Sequence, residues 1–196
     1  MNLGIIGGTF DPIHNAHLFI AEEARVRFAR DRVLFIPNAV PPHKQDESVS
    51  DSASRLRMVE LAVEANPWFE CSRIEIERPG PSYAVDTLTE LRRHEPDAEL
   101  YFVTGMDTLA EIPTWHRPDE VIRLAQFIVA ERPGCSWAEV MTELPVDLVQ
   151  RVRRMATHNL EISSTDIRRR VQQHLPIRYL TPDSVVQFIA DNGLYR

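Results

Sequence analysis

The sequence predicts an α/β protein, a doubly wound, mostly parallel, Rossmann-like sheet with helices on both faces. Two observations carry this. Short apolar runs of strand length alternate with longer stretches of helical period from end to end, the pattern of βα units winding a parallel sheet. Glycines then cluster immediately after the first apolar run, where a doubly wound sheet turns from strand into helix.

Leu3-Gly4-Ile5-Ile6 reads as the first strand. Residues 15–30 carry Leu18, Ile20, Ala21, Ala24, Val26 and Phe28 among charges and read as the first crossover helix. Val33-Leu34-Phe35-Ile36 has the uninterrupted apolar character of a strand buried on both faces. After a polar gap, 53–65 reads as helix, 69–77 as extended chain, 83–94 as helix, and 100–104 and 126–131 as strands. In the last third, 159–162 reads as a short strand, and 164–174 as a helix capped by Ser163 with Asp166 three residues on. A final helix over 182–191 is stopped by Gly193. No repeat or linker divides the chain, so residues 1–196 read as one domain. The longest stretch without a period, 38–52, contains Pro41-Pro42-His43-Lys44, and a loop of that length in a compact domain points to function or disorder.

Composition narrows the function. Lys+Arg number 22 against 29 Asp+Glu, a net charge of -7, so no global positive field exists to collect a nucleic acid or a phospholipid surface. Any phosphate must be held locally. Cys71 and Cys135 are far apart and in no CxxC spacing, which argues against a metal cluster or a disulfide framework and fits core thiols in a reducing compartment. No apolar stretch reaches the ~18 to 20 residues of a membrane span, and Met1 leads directly into the first strand without a leader pattern. The expectation is a cytoplasmic protein.

Only seven glycines occur, yet Gly4, Gly7 and Gly8 fall within the first eight residues. Backbone without side chains lets phosphate oxygens approach the amides at a helix amino terminus, although a tight strand-to-helix turn needs glycine as well. The spacing is not the GxGxxG of a dinucleotide site. His14 and His17, three apart in what reads as the first helical turn, share a face and would aim imidazole N–H groups at phosphates there. The alternatives are packed or solvated histidines, or a zinc site, which would need third and fourth ligands that neither cysteine suggests. Ser163 to Arg168 offers a second helix start with hydroxyls and an arginine. Alone it is an ordinary capping box. Three consecutive arginines, Arg168 to Arg170, in an acidic chain read as one ligand contact and a solvated face.

Gly7-Gly8-Thr9-Phe10-Asp11-Pro12-Ile13-His14-Asn15-Ala16-His17 resembles the HxGH signature of the nucleotidyltransferase superfamily, and Ile162-Ser163-Ser164-Thr165-Asp166-Ile167-Arg168 resembles its ISSTxIR signature. Between them, Ser82 to Leu88, Gly105-Met106-Asp107, Thr114-Trp115 and Arg132-Pro133-Gly134 are similar in order and spacing to the bacterial nicotinate-nucleotide adenylyltransferases. The resemblance covers nearly the whole chain. Ala16 departs from it, standing where the signature has glycine and adding a methyl beside the phosphate turn.

The resemblance implies the nucleotidyltransferase fold, with residues 163–196 completing an ATP site, and adenylyl transfer from ATP to nicotinate mononucleotide. It implies that His17, His14, Lys44 and Arg168 carry the chemistry. ATP would meet Gly7, Gly8, Thr9, Phe10, His14, His17, Gly105, Asp107, Arg132, Ile162, Ser163, Ser164 and Arg168, and nicotinate mononucleotide would meet Lys44, Thr87, Trp115 and the backbone at His116. His43 carries less weight than Lys44. Mg²⁺ would arrive with ATP, and no dedicated metal site is implied. A sibling transferase acting on nicotinamide mononucleotide or pantetheine phosphate shares both phosphate motifs, and a non-catalytic nucleotide sensor on the same fold would bind ATP without turnover. Whether the chain forms a homo-oligomer is left open.

Overall fold

The structure, a computed structural model, describes residues 1–40, 49–131, 136–158 and 160–196. Its elements in chain order are β1 (Asn2–Gly8), α1 (Asn15–Arg27), β2 (Arg32–Pro37), α2 (Ser52–Val63), β3 (Phe69–Cys71), α3 (Ile74–Glu77), α4 (Ala84–His94) and β4 (Glu99–Gly105). There follow α5 (Met106–Glu111), a 3-10 turn (Ile112–Thr114), α6 (Pro118–Leu124), β5 (Gln126–Ala130), α7 (Trp137–Glu143), α8 (Val146–Val149), β6 (Val152–Met155), α9 (Ser164–Gln172) and α10 (Asp183–Asp191).

The strands form one six-stranded sheet in the order β3-β2-β1-β4-β5-β6. Winding runs outward from β1 in one direction and resumes from β4 in the other, so the switch point, where open α/β sheets bind ligands, lies between β1 and β4. These two pair in parallel, with Leu3 opposite Leu100 and Ile5 opposite Phe102. Phe102 stands opposite Phe127 of β5, and Phe127 opposite Val152 of β6, again in parallel. Leu3, Ile5, Phe127, Ile128 and Val129 are fully buried, which is why these strands are continuous apolar runs instead of alternating ones. Truncating a side chain such as Phe127 to alanine would cost about 3–5 kcal/mol, the lost transfer energy plus the cavity left behind.

The chain forms two compact units, each assembled from separated segments. The first comprises Met1–Ile6, Ile20–Val33 and Ser82–Asn159, and the second Gly7–Phe19, Leu34–Pro81 and Leu160–Arg196. In the first, Arg92 of α4 donates to the carbonyls of Ala98 and Leu124, tying that helix to the ends of its neighbours. In the second, Ser184 of α10 donates to the Leu61 carbonyl of α2. Among the described residues no helix is long and apolar enough to cross a membrane.

Three expectations about elements need correction. The first helix ends at Arg27 instead of residue 30, because Ala29 takes a left-handed φ of 50° and breaks the helical run. The extended stretch 69–77 is a three-residue strand followed by the helical turn α3. The short strand expected at 159–162 is not formed at residues 160–162, and the sixth strand is Val152–Met155. It is the last strand in the sheet order, and exposed Arg153 and Arg154 mask its apolar character, as charged side chains do on edge strands. The capping of α9 is as expected, with the Ser163 hydroxyl accepting from the Asp166 N–H at 3.1 Å. Gly193, at a left-handed φ of 62°, lies just beyond the end of α10, as expected of a stop.

Candidate active site

The turn from β1 into α1 belongs to the second unit, and its geometry follows from Gly8 and Phe10. A Cβ at Gly8 would sit 3.3 Å from Cζ of Phe10, so any larger residue there would push the ring away by a few tenths of an ångström. Phe10 is buried with a left-handed φ of 50°, a conformation that a non-glycine residue keeps only when its surroundings hold it. Its ring meets His17 edge-on at 5.1 Å, and the His14 and His17 rings stack at 3.6 Å.

Only His17 lies within α1. His14 precedes the helix, a correction to the shared first turn, and its backbone N–H donates to Nδ1 of His17 at 3.2 Å. With Nδ1 accepting, the neutral His17 ring carries its proton on Nε2. Burial drives both histidines toward neutrality: His14 is lowered to about 4, and His17 well below its ordinary value, by burial first and by His14 second. At pH 7 the pair offers neutral N–H donors, not cations.

The two expected anion sites meet in this unit. Ser164 Oγ, at the start of α9, donates to the Pro12 carbonyl at 2.8 Å, and Arg168 Nη1 donates to the Asp11 carbonyl at 2.8 Å. Segments more than 150 positions apart are thus joined at consecutive carbonyls of the glycine-histidine turn. Gly7 is exposed, and Thr9, Ser164, Ile162 and Arg168 are half-buried, while Ser163 is exposed at the cap.

Other side chains that sequence reasoning did not single out complete the turn. The Thr181 hydroxyl donates to the Ile13 carbonyl at 2.7 Å, and the Asn15 N–H donates to the Leu180 carbonyl at 2.9 Å. Tyr195 Oη donates to one Asp11 carboxylate oxygen at 2.6 Å, and the Ser50 N–H to the other at 3.2 Å. Arg55 is 1% exposed and donates to the carbonyls of Thr9 (2.8 Å), Ser50 (2.9 Å) and Ala39 (3.2 Å) and to Asn38 Oδ1 (3.2 Å). One signal could have found it: Arg55 shares the buried face of α2 with Met58, Val59 and Val63, and a cation on an apolar stripe needs partners.

The remaining sequence-predicted residues lie in the first unit. Gly105 ends β4 and precedes α5, and a Cβ there would meet nothing within 4 Å. Asp107 is exposed in the first turn of α5. Thr87 is buried on α4, and its hydroxyl donates to the Tyr83 carbonyl at 3.3 Å. The Tyr83 ring in turn stacks on exposed His116 at 4.3 Å. Trp115, half-buried, meets Phe102 edge-on at 5.7 Å. His43, Lys44 and Arg132 lie outside the described residues. Among those described, no group of three His, Cys, Asp or Glu side chains is placed to hold a metal ion. Cys71 is half-buried at the end of β3 instead of in the core, and burial pushes its thiol up to about 12, so it stays protonated at neutral pH.

Residues 5–170 match the cytidylyltransferase-like family. The chain is 48% identical to a nicotinate-nucleotide adenylyltransferase of Moorella thermoacetica, over 99% of this chain and 91% of the relative. It is 47% identical to one of Saccharopolyspora erythraea, over 99% and 89%. Its fold is shared with Plasmodium falciparum nicotinic acid mononucleotide adenylyltransferase, solved in complex with NaAD, at a TM-score of 0.81 and 18% identity over 99% of this chain and 97% of that one. At nearly half identity along its whole length, the chain belongs to the nicotinate-nucleotide adenylyltransferase family.

Proposed function

We propose that this protein transfers the adenylyl group of ATP to nicotinate mononucleotide, giving nicotinate adenine dinucleotide and pyrophosphate. The observation that carries the reading is the joining of the glycine-histidine turn to the start of α9 through Ser164 and Arg168. The arrangement offers backbone amides, a neutral imidazole donor and a guanidinium to a polyphosphate, and the family's chemistry asks for those groups.

A phosphate oxygen of nicotinate mononucleotide forms the new bond to the α-phosphorus of ATP, and the bond from that phosphorus to the pyrophosphate oxygen breaks. The second pKa of a phosphate monoester is about 6, so at pH 7 the nucleophile is mostly a dianion and no protein base is required. What remains is positioning and stabilisation of charge on the phosphates. His17 Nε2–H is the donor assigned to charge developing on the phosphates, with His14 fixing its ring. Gly7, Gly8, Ser163 and Ser164 present the amides. Arg168 uses one N–H on Asp11, and a guanidinium has five, so it can join the turn and meet a phosphate together.

In the first unit, the Trp115 face suits ring stacking on nicotinate, while the Thr87 hydroxyl and the His116 amide suit its carboxylate. Gly105 and Asp107, at the end of β4, suit the nucleoside of ATP. The turn brings no open carboxylate for a metal, since Asp11 is buried and taken by Tyr195 and Ser50. Mg²⁺ would therefore be held by ATP's own phosphates and water, where it neutralises charge.

Pyrophosphate release with ATP and, in turn, nicotinate mononucleotide, nicotinamide mononucleotide and phosphopantetheine tests the reading. Turnover highest with nicotinate mononucleotide is expected. Preference for either other acceptor, or ATP binding without turnover, would overturn it.

A further inference from the structure

The turn from Asp11 to Asn15 is held mainly by one late segment of the chain. Beyond Ser164 and Arg168, the Ile13 carbonyl accepts from Thr181, the Asn15 N–H and Nδ2 donate to the carbonyls of Leu180 and Tyr179, and the Asp11 carboxylate accepts from Tyr195. These four residues, 179, 180, 181 and 195, lie beyond the 5–170 stretch that matches the family. His14, whose N–H orients the His17 ring, is bracketed by Ile13 and Asn15, so whatever fixes those two fixes the donor.

We propose that Tyr195 is a positioning residue for the transfer reaction, acting with Thr181 to hold the turn so that the His14–His17 pair presents Nε2–H in one orientation. The proposal rests on the function assigned above. Two observations single out Tyr195. Its hydroxyl reaches a carboxylate that is 4% exposed, at 2.6 Å, and so fixes the residue directly after Phe10, whose ring packs on Gly8. Its own backbone is left-handed, at φ 63°, a conformation that a tyrosine keeps only when its surroundings hold it. Burial first, and the bond to Asp11 second, push the phenol pKa up, so the O–H persists at working pH. Since these contacts act on the orientation of a donor, their loss should appear in turnover; about 1 Å of misplacement costs about 10²-fold.

The test compares the full-length protein with Tyr195→Phe, which keeps the ring and removes the O–H. Steady-state kcat and KM are measured for ATP and nicotinate mononucleotide, and the ring ¹⁵N resonances of His17 are recorded without substrate. The expected result is a kcat lowered about tenfold or more with both KM values within about twofold, and a His17 Nδ1 resonance displaced from its hydrogen-bonded position. A kcat within about twofold of wild type, a loss carried by KM, or an unmoved His17 resonance in a variant with native circular dichroism would overturn the proposal. Should Tyr195→Phe not fold, Thr181→Val takes its place, with Thr181→Ser expected to restore both readouts and failure to restore them counting against the idea. The histidine signal needs no substrate, so an error in the assigned reaction would show in the wild type by itself.

Discussion

The His14 backbone N–H lies 3.2 Å from Nδ1 of His17, and the two rings stack at 3.6 Å, so one histidine sets the tautomer of the other. The Nε2–H of His17 is thereby preorganised, and a preorganised donor aimed at developing charge is worth about 10² to 10³ in rate, or about 2.7–4 kcal/mol. His17→Ala should lose that much kcat while keeping its circular dichroism and melting behaviour near wild type. Near-normal turnover in the folded variant would remove His17 from the role.

The same burial predicts how stability depends on pH. His14 is lowered to about 4 in the folded protein and returns to about 6.5 when unfolded, so between these values the unfolded chain binds the extra proton. The stabilisation is fully present above pH 6.5 and is lost as pH falls toward 4, with His14 contributing about 3 kcal/mol. His17, shifted in the same direction, adds to the slope. Chemical denaturation across pH 7 to 4 should show wild-type stability falling, and His14→Gln should show a shallower fall; parallel slopes would contradict the assignment.

How much of this was legible in the sequence depended on whether a feature leaves a local pattern. β1, β2, β4 and β5 are buried on both faces, and an uninterrupted apolar run announces that. β6 shows exposed Arg153 and Arg154 and announces nothing. The glycine-histidine turn stood out because glycines are scarce and crowd into it. Thr181 and Tyr195 act through side-chain contacts to partners 168 and 184 positions away, and neither periodicity nor spacing records contacts of that kind, whereas Arg55 left a trace as a cation on the apolar stripe of α2. His43, Lys44 and Arg132 rest on resemblance alone.

Arg55 is the most consequential residue without a predicted role. Its guanidinium is buried, its pKa lowered by burial and raised in part by Asp11, and it holds three carbonyls and the Asn38 side chain. Arg55→Met leaves the three carbonyls and the Asp11 charge without that partner, and breaking a buried arrangement of this kind costs about 3–5 kcal/mol. Arg55→Lys should recover little, because an ammonium cannot span the planar fork of contacts. Urea midpoints of both variants check this, and a lysine variant as stable as wild type would show that charge alone suffices.

Ser164 and Arg168 donate to adjacent carbonyls, those of Pro12 and Asp11, so their effects should not be independent. Each contact restrains the same stretch of backbone, and once one is lost the turn is free to shift and the other holds a displaced geometry. Residues sharing a backbone element in this way typically couple by about 0.5–3 kcal/mol. A double-mutant cycle on kcat/KM with Ser164→Ala and Arg168→Met should therefore give a combined loss smaller than the product of the single losses. Strict additivity would mean that the two residues meet the nucleotide separately, and that their contacts with the turn carry no part of the catalytic effect.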